Sequence, residues 1–187
     1  MSNFQSSGEI ESAHEFEFSE ELYIMKVIFL DIDGVLNSNF WNDTHQREIS
    51  DGTLIDEEKV MLLGQLIRNT SAKVILHSGW KFWFDSEVKP LRREAERLIS
   101  MLEKEGIKVN GVTPDHTTEE IRKSKKFSLV KASEILAWVS QYDNIEKWIV
   151  IDDLDLHNEE IRKHQILTDA SIGLTVENIC EAERLLL

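Results

Sequence analysis

The sequence is poor in cysteine and in long hydrophobic runs. Its one cysteine, Cys180, excludes a disulfide within the chain and is typical of a reducing compartment. The longest apolar run, around residues 23–30, is interrupted by Lys26 and is far too short to cross a bilayer. The acidic N-terminal residues do not resemble a signal peptide. We therefore expect a cytoplasmic protein that makes no use of a membrane.

Positive charge is also scarce. The 187 residues include 21 Lys and Arg against 35 Asp and Glu, which gives a formal net charge of −14. Residues 1–23 contain glutamates but no lysine or arginine. Because non-specific binding to nucleic acid depends on Lys and Arg contacts with phosphates, this balance disfavours it, although it does not exclude a local basic patch.

The length favours one domain with a substantial core. Residues 1–23, rich in Ser and Glu, predict a flexible acidic arm, and residues 24–187 predict a single domain. Short apolar runs alternate in this domain with segments of helical period, and no internal repeat is evident. The alternation predicts an α/β fold in which helices cover both faces of a central parallel sheet.

Several element boundaries follow from local signals. Asp56 is predicted to cap a helix, and Pro90 is predicted to open another, with Leu91 on its apolar stripe. Residues 37–55 and 110–127 show no sustained helical or strand period, which predicts two long polar loops. Loops of this length in compact domains are usually functional or disordered.

The most informative stretch is the apolar run 27–30 followed by Asp31, Asp33 and Gly34. Because strand side chains alternate, residues two apart point to the same side of a strand. Two acids this close repel each other, so a cation or a shared proton is needed to hold them together. The alternative is an ordinary Asx-type turn, since Asp and Gly are common turn residues.

Two further predicted strands end in polar residues. The run 73–76 leads to Ser78 and Gly79, and a later apolar run leads to Asp152 and Asp153. The C-terminal ends of parallel strands lie at one edge of a sheet, which is where open α/β folds bind their ligands. We therefore expect these side chains to converge with the first pair of carboxylates.

Lys131 lies in the first turn of a helix predicted over about 128–141. A cation there opposes the helix dipole, and such a misplaced charge hints at a function. Several carboxylates without a cluster of His or Cys form a hard, oxygen-rich site that selects Mg²⁺. Mg²⁺, a hydroxyl, a lysine and a spare acid suit phosphoryl transfer, in which one carboxylate attacks phosphorus to give an aspartyl-phosphate.

The order Asp-x-Asp-Gly, strand-Ser, Lys and Asp-Asp resembles the four motifs of the haloacid dehalogenase-like (HAD) superfamily. A response-regulator receiver domain also uses Asp and Lys, but its acid pair comes first and it lacks Asp-x-Asp. The chain further resembles, over about 25–187, the HAD domain of Swiss-army-knife RNA-repair proteins. One departure is His77, because that subfamily more usually has consecutive serines there. The segments that carry the resemblance are residues 29–37, 77–81, 131–138, 149–154 and 173–175.

The resemblance implies a HAD-like Rossmannoid fold of three α/β/α layers and a Mg²⁺-dependent phosphatase. Asp31 would be the nucleophile that becomes phosphorylated, and also a Mg²⁺ ligand. Asp33 would be the general acid/base that protonates the leaving alcohol and then activates water, and its backbone carbonyl would bind the metal. The presence of this second acid favours a phosphatase over a dehalogenase.

The resemblance also assigns roles at the other strand ends. Ser78, with Gly79, would bind a phosphoryl oxygen, and Lys131 would pair with the phosphoryl group and the nucleophile. Asp152 would ligate Mg²⁺ with the help of Asp153.

Cap domains in this superfamily are inserted after the first motif or between the second and third. Both intervals are too short here for a full cap, so the resemblance implies a capless site with at most a flap at residues 37–55. Such an open site suits a nucleic-acid end, a nucleotide or another phosphorylated small molecule. Two alternatives are a non-catalytic binding or regulatory module on a HAD scaffold and a phosphotransferase.

Three sets of side chains near the motifs have two interpretations each. The aromatic residues among 80–84 either stack on bases or belong to the core. The basic residues among 122–126 either steer a polynucleotide or form a solvated face. His45, His77 and His157 either aid proton transfer or are structural or solvent-facing.

Overall fold

The computed structural model describes residues 24–38, 46–50, 53–124 and 127–187. The predicted acidic arm, His45 and part of the basic cluster lie outside these ranges. The described strands are β1 Met25–Leu30, β2 Gln46–Ser50, β3 Thr53–Asp56, β4 Lys73–Leu76, β5 Val109–Val112, β6 Ile145–Asp152 and β7 Gln165–Leu167. The described helices are α1 Glu57–Thr70, α2 Arg93–Lys104, α3 Glu119–Ser124, α4 Phe127–Val139, α5 Glu159–Arg162 and α6 Val176–Leu186. None of them is long and apolar enough to cross a membrane.

Five of the strands form one parallel sheet in the order β5-β4-β1-β6-β7. The first predicted strand, β1, occupies the centre of this sheet, between β4 and β6. Its last residue, Leu30, pairs with Leu76 of β4 and with Ile151 of β6. This register brings the next residue of each strand, Asp31, His77 and Asp152, to the same edge of the sheet.

Alternate side chains of β1 enter two hydrophobic cores. Ile28 and Leu30 pack with the buried faces of α1, α2 and α6, whereas Val27 and Phe29 pack with α4 and α5 on the opposite face. Side chains on both faces are buried because a parallel sheet is covered by helices on both sides. The predicted three-layer α/β/α architecture with a central parallel sheet is therefore confirmed.

The prediction of a loop over residues 37–55 is wrong for part of that range. Strands β2 and β3 pair antiparallel as a hairpin, although residues 39–45 and 51–52 are not described. Ile49 and Ile55 are buried in the core, and the guanidinium of Arg97 in α2 donates to the carbonyl of Ile49 at 2.6 Å. With only two buried apolar residues, such a short hairpin shows too little alternation of apolar and polar residues to be recognised in the sequence. Its contact with α2 stabilises it.

The helix predicted to begin at Pro90 begins at Arg93 instead. Pro90 forms an isolated antiparallel bridge with Phe84, and the amide of Leu91 donates to the carbonyl of Trp83 at 2.8 Å. This return of the chain keeps Leu91 off the helix and exposed rather than on an apolar stripe. The predicted cap at Asp56 is confirmed, since its carboxylate accepts from the amide of Glu58.

Candidate active site

The backbone hydrogen bonds of the sheet continue one residue beyond the ends of its central strands. The amide of Asp31 donates to the carbonyl of Ile151 at 3.0 Å, and the amide of His77 donates to the carbonyl of Leu30 at 2.9 Å. Asp31 and His77 therefore start from fixed backbone positions. Side chains at strand ends that are hydrogen-bonded to neighbouring strands are positioned more precisely than side chains on loops.

A buried ion-pair network lies at this edge. The ammonium Nζ of Lys131, on α4, donates to Oδ2 of Asp31 at 2.5 Å and to Oδ2 of Asp152 at 2.7 Å. Asp31 and Asp152 are both buried, and Asp152 also accepts from the amide of Leu154 and contacts His77. The helix begins at Phe127, so Lys131 is its fifth residue and lies just past the first turn in which the sequence placed it, and the two carboxylates attract its charge there.

Burial and mutual charge interactions shift the pKa values of Asp31, Asp152 and Lys131. Burial raises the pKa of Asp31 above its ordinary value and Asp152 adds to this effect, against the opposing charge of Lys131. Burial also opposes ionisation of Asp152, but the hydrogen bond from His77 and the charge of Lys131 hold its pKa below the ordinary value. Burial works against the charge on Lys131, yet Asp31 and Asp152 outweigh it and raise the lysine pKa.

Asp153 adds a third carboxylate beside these two. Burial, together with the charges of Asp152 and Asp31, raises the pKa of Asp153 to about 6. Gly34 makes this approach feasible, because its φ is +71° and a Cβ there would lie 2.6 Å from the Asp153 carboxyl carbon. The turn after β1 is therefore shaped by both the backbone conformation and the proximity of Asp153.

The three carboxylates fit a hard divalent cation. One oxygen from each of Asp31, Asp152 and Asp153 lies within 4.8 Å of the others, and oxygen is the ligand that Mg²⁺ prefers. One lysine lies near three acids, and although burial is the main cause of the raised pKa of Asp153, the negative charges of Asp152 and Asp31 add to it. Asp33 contributes no side-chain oxygen to the cluster, and its predicted ligand is the backbone carbonyl.

Asp33 occupies an exposed position at the mouth of the site. The indole Nε1 of Trp80 donates to its Oδ2 at 2.9 Å, and the side-chain amide of Asn37 donates to its Oδ1 at 2.9 Å. The two acids of the first motif are thus in different environments. Asp31 is buried beside a cation, and Asp33 is exposed between two neutral donors.

Ser78 and Gly79 begin the turn that follows β4. Ser78 is buried, and its Oγ accepts from the amide of Trp80 at 3.3 Å as the N-cap of a 3₁₀ turn over Gly79–Trp83. Its hydroxyl hydrogen is not used in that bond and is free to donate. Both residues line the same cleft as Asp31 and Lys131.

The sequence left two interpretations for His77, an aid to proton transfer or a structural residue, and did not predict its contact with Asp152. His77 is buried, its Nε2 lies 3.0 Å from Oδ2 of Asp152, and its Nδ1 has no partner among the described residues. An imidazole with Nε2–H donates this bond to the carboxylate. Its position directly after β4 was the available signal, because the register with Asp31 places it at the sheet edge. His157, by contrast, is exposed.

The site opens into a cleft of about 570 Å³. Its outer part carries three exposed apolar side chains, Phe82, Phe127 and Leu154, together with Arg122. Of the aromatic residues predicted either to stack or to pack, Trp80 and Phe84 are buried and Phe82 is exposed. The volume exceeds what a phosphate alone would fill and is typical of a site for a small molecule or a chain end.

Comparison with known proteins agrees with this geometry. No curated protein matches the chain. Residues 27–179 match the family described as the HAD domain in Swiss Army Knife RNA repair proteins. That span covers most of the 187 residues and includes β4 to β7 and all of β1 except Met25 and Lys26. The resemblance found in the motifs is confirmed, and the chain belongs to the family of HAD domains of Swiss Army Knife RNA repair proteins.

Proposed function

We propose that this protein is a Mg²⁺-dependent phosphomonoesterase that works through an aspartyl-phosphate on Asp31. One observation carries the proposal. The buried Asp31 carboxylate lies 2.5 Å from the Lys131 ammonium, and Asp33 follows two residues later at the mouth of the same cleft. Membership of a HAD domain family supports hydrolase chemistry in general, and the arrangement of these three side chains supports the specific mechanism.

In the first step, a carboxylate oxygen of Asp31 attacks the phosphorus of the substrate. The ester bond to the leaving oxygen breaks, and the electron pair remains on that oxygen. The carboxyl group of Asp33 donates a proton to it, which gives a neutral alcohol. Lys131 and the hydroxyl of Ser78 stabilise the charge on the phosphoryl oxygens.

In the second step, a water molecule attacks the phosphorus of the aspartyl-phosphate. Asp33, now a carboxylate, accepts a proton from this water. The bond between phosphorus and the Asp31 oxygen breaks, which restores the carboxylate and releases inorganic phosphate. One exposed acid can serve both steps because each step returns it to the form that the next one needs.

The metal belongs with the three carboxylates of the cluster. Asp31, Asp152 and Asp153 would hold Mg²⁺, together with the backbone carbonyl of Asp33 that the family pattern implies. Mg²⁺ supplies positive charge that offsets the negative charge of the phosphoryl group. The surplus of carboxylates over lysine supports this assignment.

The substrate that we propose is a phosphomonoester on a nucleic-acid end or a nucleotide, with other phosphorylated small molecules as the broader class. The family name refers to RNA repair proteins, and the cleft is open toward solvent on the side of Phe82 and Phe127. The acidic body of the chain argues against strong non-specific binding to nucleic acid. A cytoplasmic location stays a prediction that derives from the single cysteine.

The test is phosphate release with and without Mg²⁺ from p-nitrophenyl phosphate and from 5′- and 3′-phosphorylated oligonucleotides. We expect metal-dependent release that falls by at least about 10³-fold in Asp31→Asn, which keeps the shape of the side chain but removes the nucleophile. Binding of Mg²⁺ without release of phosphate from any substrate would instead favour a non-catalytic module. Transfer of phosphate to an added alcohol in preference to water would identify a phosphotransferase.

A further inference from the structure

The carboxylate of Asp33 is held more firmly than an exposed acid usually is. Both of its oxygens accept hydrogen bonds from side chains, Oδ2 from the Trp80 indole and Oδ1 from the Asn37 amide, each at 2.9 Å. An exposed carboxylate is ordinarily solvated and free to rotate about its side-chain torsions. A carboxylate has about four lone-pair sites, so two remain for the proton that it would exchange.

The donor on one side, Trp80, has little freedom to move. Its ring is buried and packs against Trp83 with centroids 4.4 Å apart, and its amide donates to the hydroxyl of Ser78. The indole N–H therefore projects from the same short turn that presents Ser78 to the cleft. Because the indole is fixed, its hydrogen bond restricts the orientation of the Asp33 carboxylate.

The donor on the other side, Asn37, is fixed by two further bonds. Its Oδ1 accepts from the amide of Gly34 at 2.9 Å, and its Nδ2 also donates to the carbonyl of Leu54 on β3 at 3.1 Å. Because the amide oxygen already has a donor, the nitrogen is the atom that faces Asp33. Asp33 is thus clamped between the turn after β4 and the segment that leads to the hairpin.

We propose that Trp80 is a positioning residue for the general acid/base. Its indole N–H holds the Asp33 carboxylate toward the oxygen of the leaving group, with Asn37 as the second clamp. The inference rests on the proposed function, since it assigns Asp33 the proton transfers of that mechanism. Trp80 itself does not touch the substrate in this scheme, and it acts through the orientation of Asp33.

The discriminating variant is Trp80→Phe, which keeps an aromatic ring in the core and removes the N–H. The discriminating substrates are benzyl phosphate, whose leaving alkoxide must be protonated, and p-nitrophenyl phosphate, whose leaving phenolate is stable in water. General acid catalysis contributes about 10²–10⁴-fold to a rate. We expect Trp80→Phe to lower kcat/KM for benzyl phosphate by about tenfold or more relative to p-nitrophenyl phosphate.

The matched control is Trp83→Phe, the same replacement in the same turn, at an indole that stacks on Trp80 but does not bond to Asp33. We expect this control to leave the ratio of the two kcat/KM values unchanged. Equal losses on both substrates in Trp80→Phe, or an equal change of the ratio in Trp83→Phe, would show that Trp80 is only structural. In an Asp33→Asn background, where the general acid is already absent, Trp80→Phe should not change the ratio of the two kcat/KM values any further, and a further change would also overturn the proposal.

A second measurement needs no turnover, and it separates failure of this inference from failure of the proposed function. In ¹⁵N-labelled protein, the indole N–H signal of Trp80 is expected to shift and to exchange faster with solvent in Asp33→Ala, while that of Trp83 does not. An unchanged Trp80 signal would contradict the positioning bond. Phosphate release that persists undiminished in Asp31→Asn would contradict the proposed phosphatase mechanism instead.

Discussion

Two lysines, Lys81 buried and Lys131 partly buried, form ion-pair networks at the same helix, α4, and the two networks differ in their balance of charge. Lys131 is on α4 and donates to Asp31 and Asp152 at the sheet edge. Lys81 comes from the turn after β4, and its Nζ donates to Oε2 of Glu134, one turn further along α4, at 2.7 Å. Both lysines line the same cleft.

The Lys81 network is balanced. One ammonium pairs with one carboxylate, and it also donates to the carbonyl of Pro114 at 2.7 Å and to the hydroxyl of Thr113 at 3.3 Å. The other oxygen of Glu134 accepts from the amide of His116. This network joins three segments of the chain and requires no further ion.

The Lys131 network is unbalanced, since three acids surround one lysine and the pKa of Asp153 is raised to about 6. Burial of charge is therefore not what marks the candidate active site, because Lys81 and Glu134 are buried as Asp31 and Asp152 are. The surplus of negative charge is what distinguishes the two networks, and such a surplus could hold a cation.

The largest effect is expected from the balanced network. Removal of one partner of a buried ion pair leaves an uncompensated charge, so Lys81→Met and Glu134→Leu should each lower the free energy of unfolding by about 3–5 kcal/mol. The double variant should recover part of this loss, with a coupling energy of about 1–3 kcal/mol. Urea denaturation of all four proteins measures this cycle, and strictly additive losses would contradict a structural ion pair.

The unbalanced network should respond differently to the loss of its lysine. Lys131→Met is expected to lower kcat by about 10²–10³-fold, because a fixed positive charge beside the phosphoryl group is lost. The same change leaves Asp31 and Asp152 without their lysine, so Mg²⁺ should bind at least as tightly as to the wild type. Steady-state kinetics and calorimetric titration with Mg²⁺ measure these opposite trends.

Lys81→Met serves as the matched control for Lys131→Met. Corrected for the folded fraction, its kcat should fall by much less than that of Lys131→Met, and its Mg²⁺ affinity should not rise. Weaker Mg²⁺ binding in Lys131→Met would contradict the view that the lysine and the metal offset the same negative charge.

A smaller effect is expected at the glycine that lets Asp153 approach. Gly34→Ala combines a left-handed backbone conformation with a contact of 2.6 Å to the Asp153 carboxyl carbon, so it should cost about 1–3 kcal/mol of stability. Gly79→Ala is the control for stability, because a Cβ there meets no atom within 4 Å. Thermal unfolding measures both, and equal midpoints would show that the turn tolerates a side chain.

The grouping of polar residues at one edge was predictable from the sequence, because it depends on the parallel sheet. Leu30, Leu76 and Ile151 end apolar runs that are readable as strands, and parallel pairing then brings the polar residues after them together. The four HAD motifs coincide with those strand ends and with Lys131. What the sequence predicted was the common edge, because the C-terminal ends of parallel strands lie on the same side of a sheet whatever their exact register.

The contacts that tune the site were not predictable in the same way. The bond from Trp80 to Asp33 joins residues 47 positions apart, and the Lys81–Glu134 pair joins residues 53 apart. Such pairs depend on side-chain directions that no local period encodes. The predicted alternatives for Trp80, stacking on bases or packing in the core, both missed that one indole can be buried and still donate to the acid.

The smallest expected effect on the Lys131 network is the pH dependence of its Mg²⁺ affinity. The pKa of Asp153 is about 6 in the metal-free protein because of burial and the charges of Asp152 and Asp31. Below that pH, Mg²⁺ must displace a proton from Asp153, so its apparent affinity should fall by about tenfold for each further unit of pH, whereas above it the affinity should level off. Calorimetric titrations between pH 5 and about pH 8 measure this profile.

Asp153→Asn removes the titrating group and should lower the affinity at neutral pH while flattening the slope around pH 6. A wild-type profile that is already flat there would mean that Asp153 does not share the cation with Asp31 and Asp152.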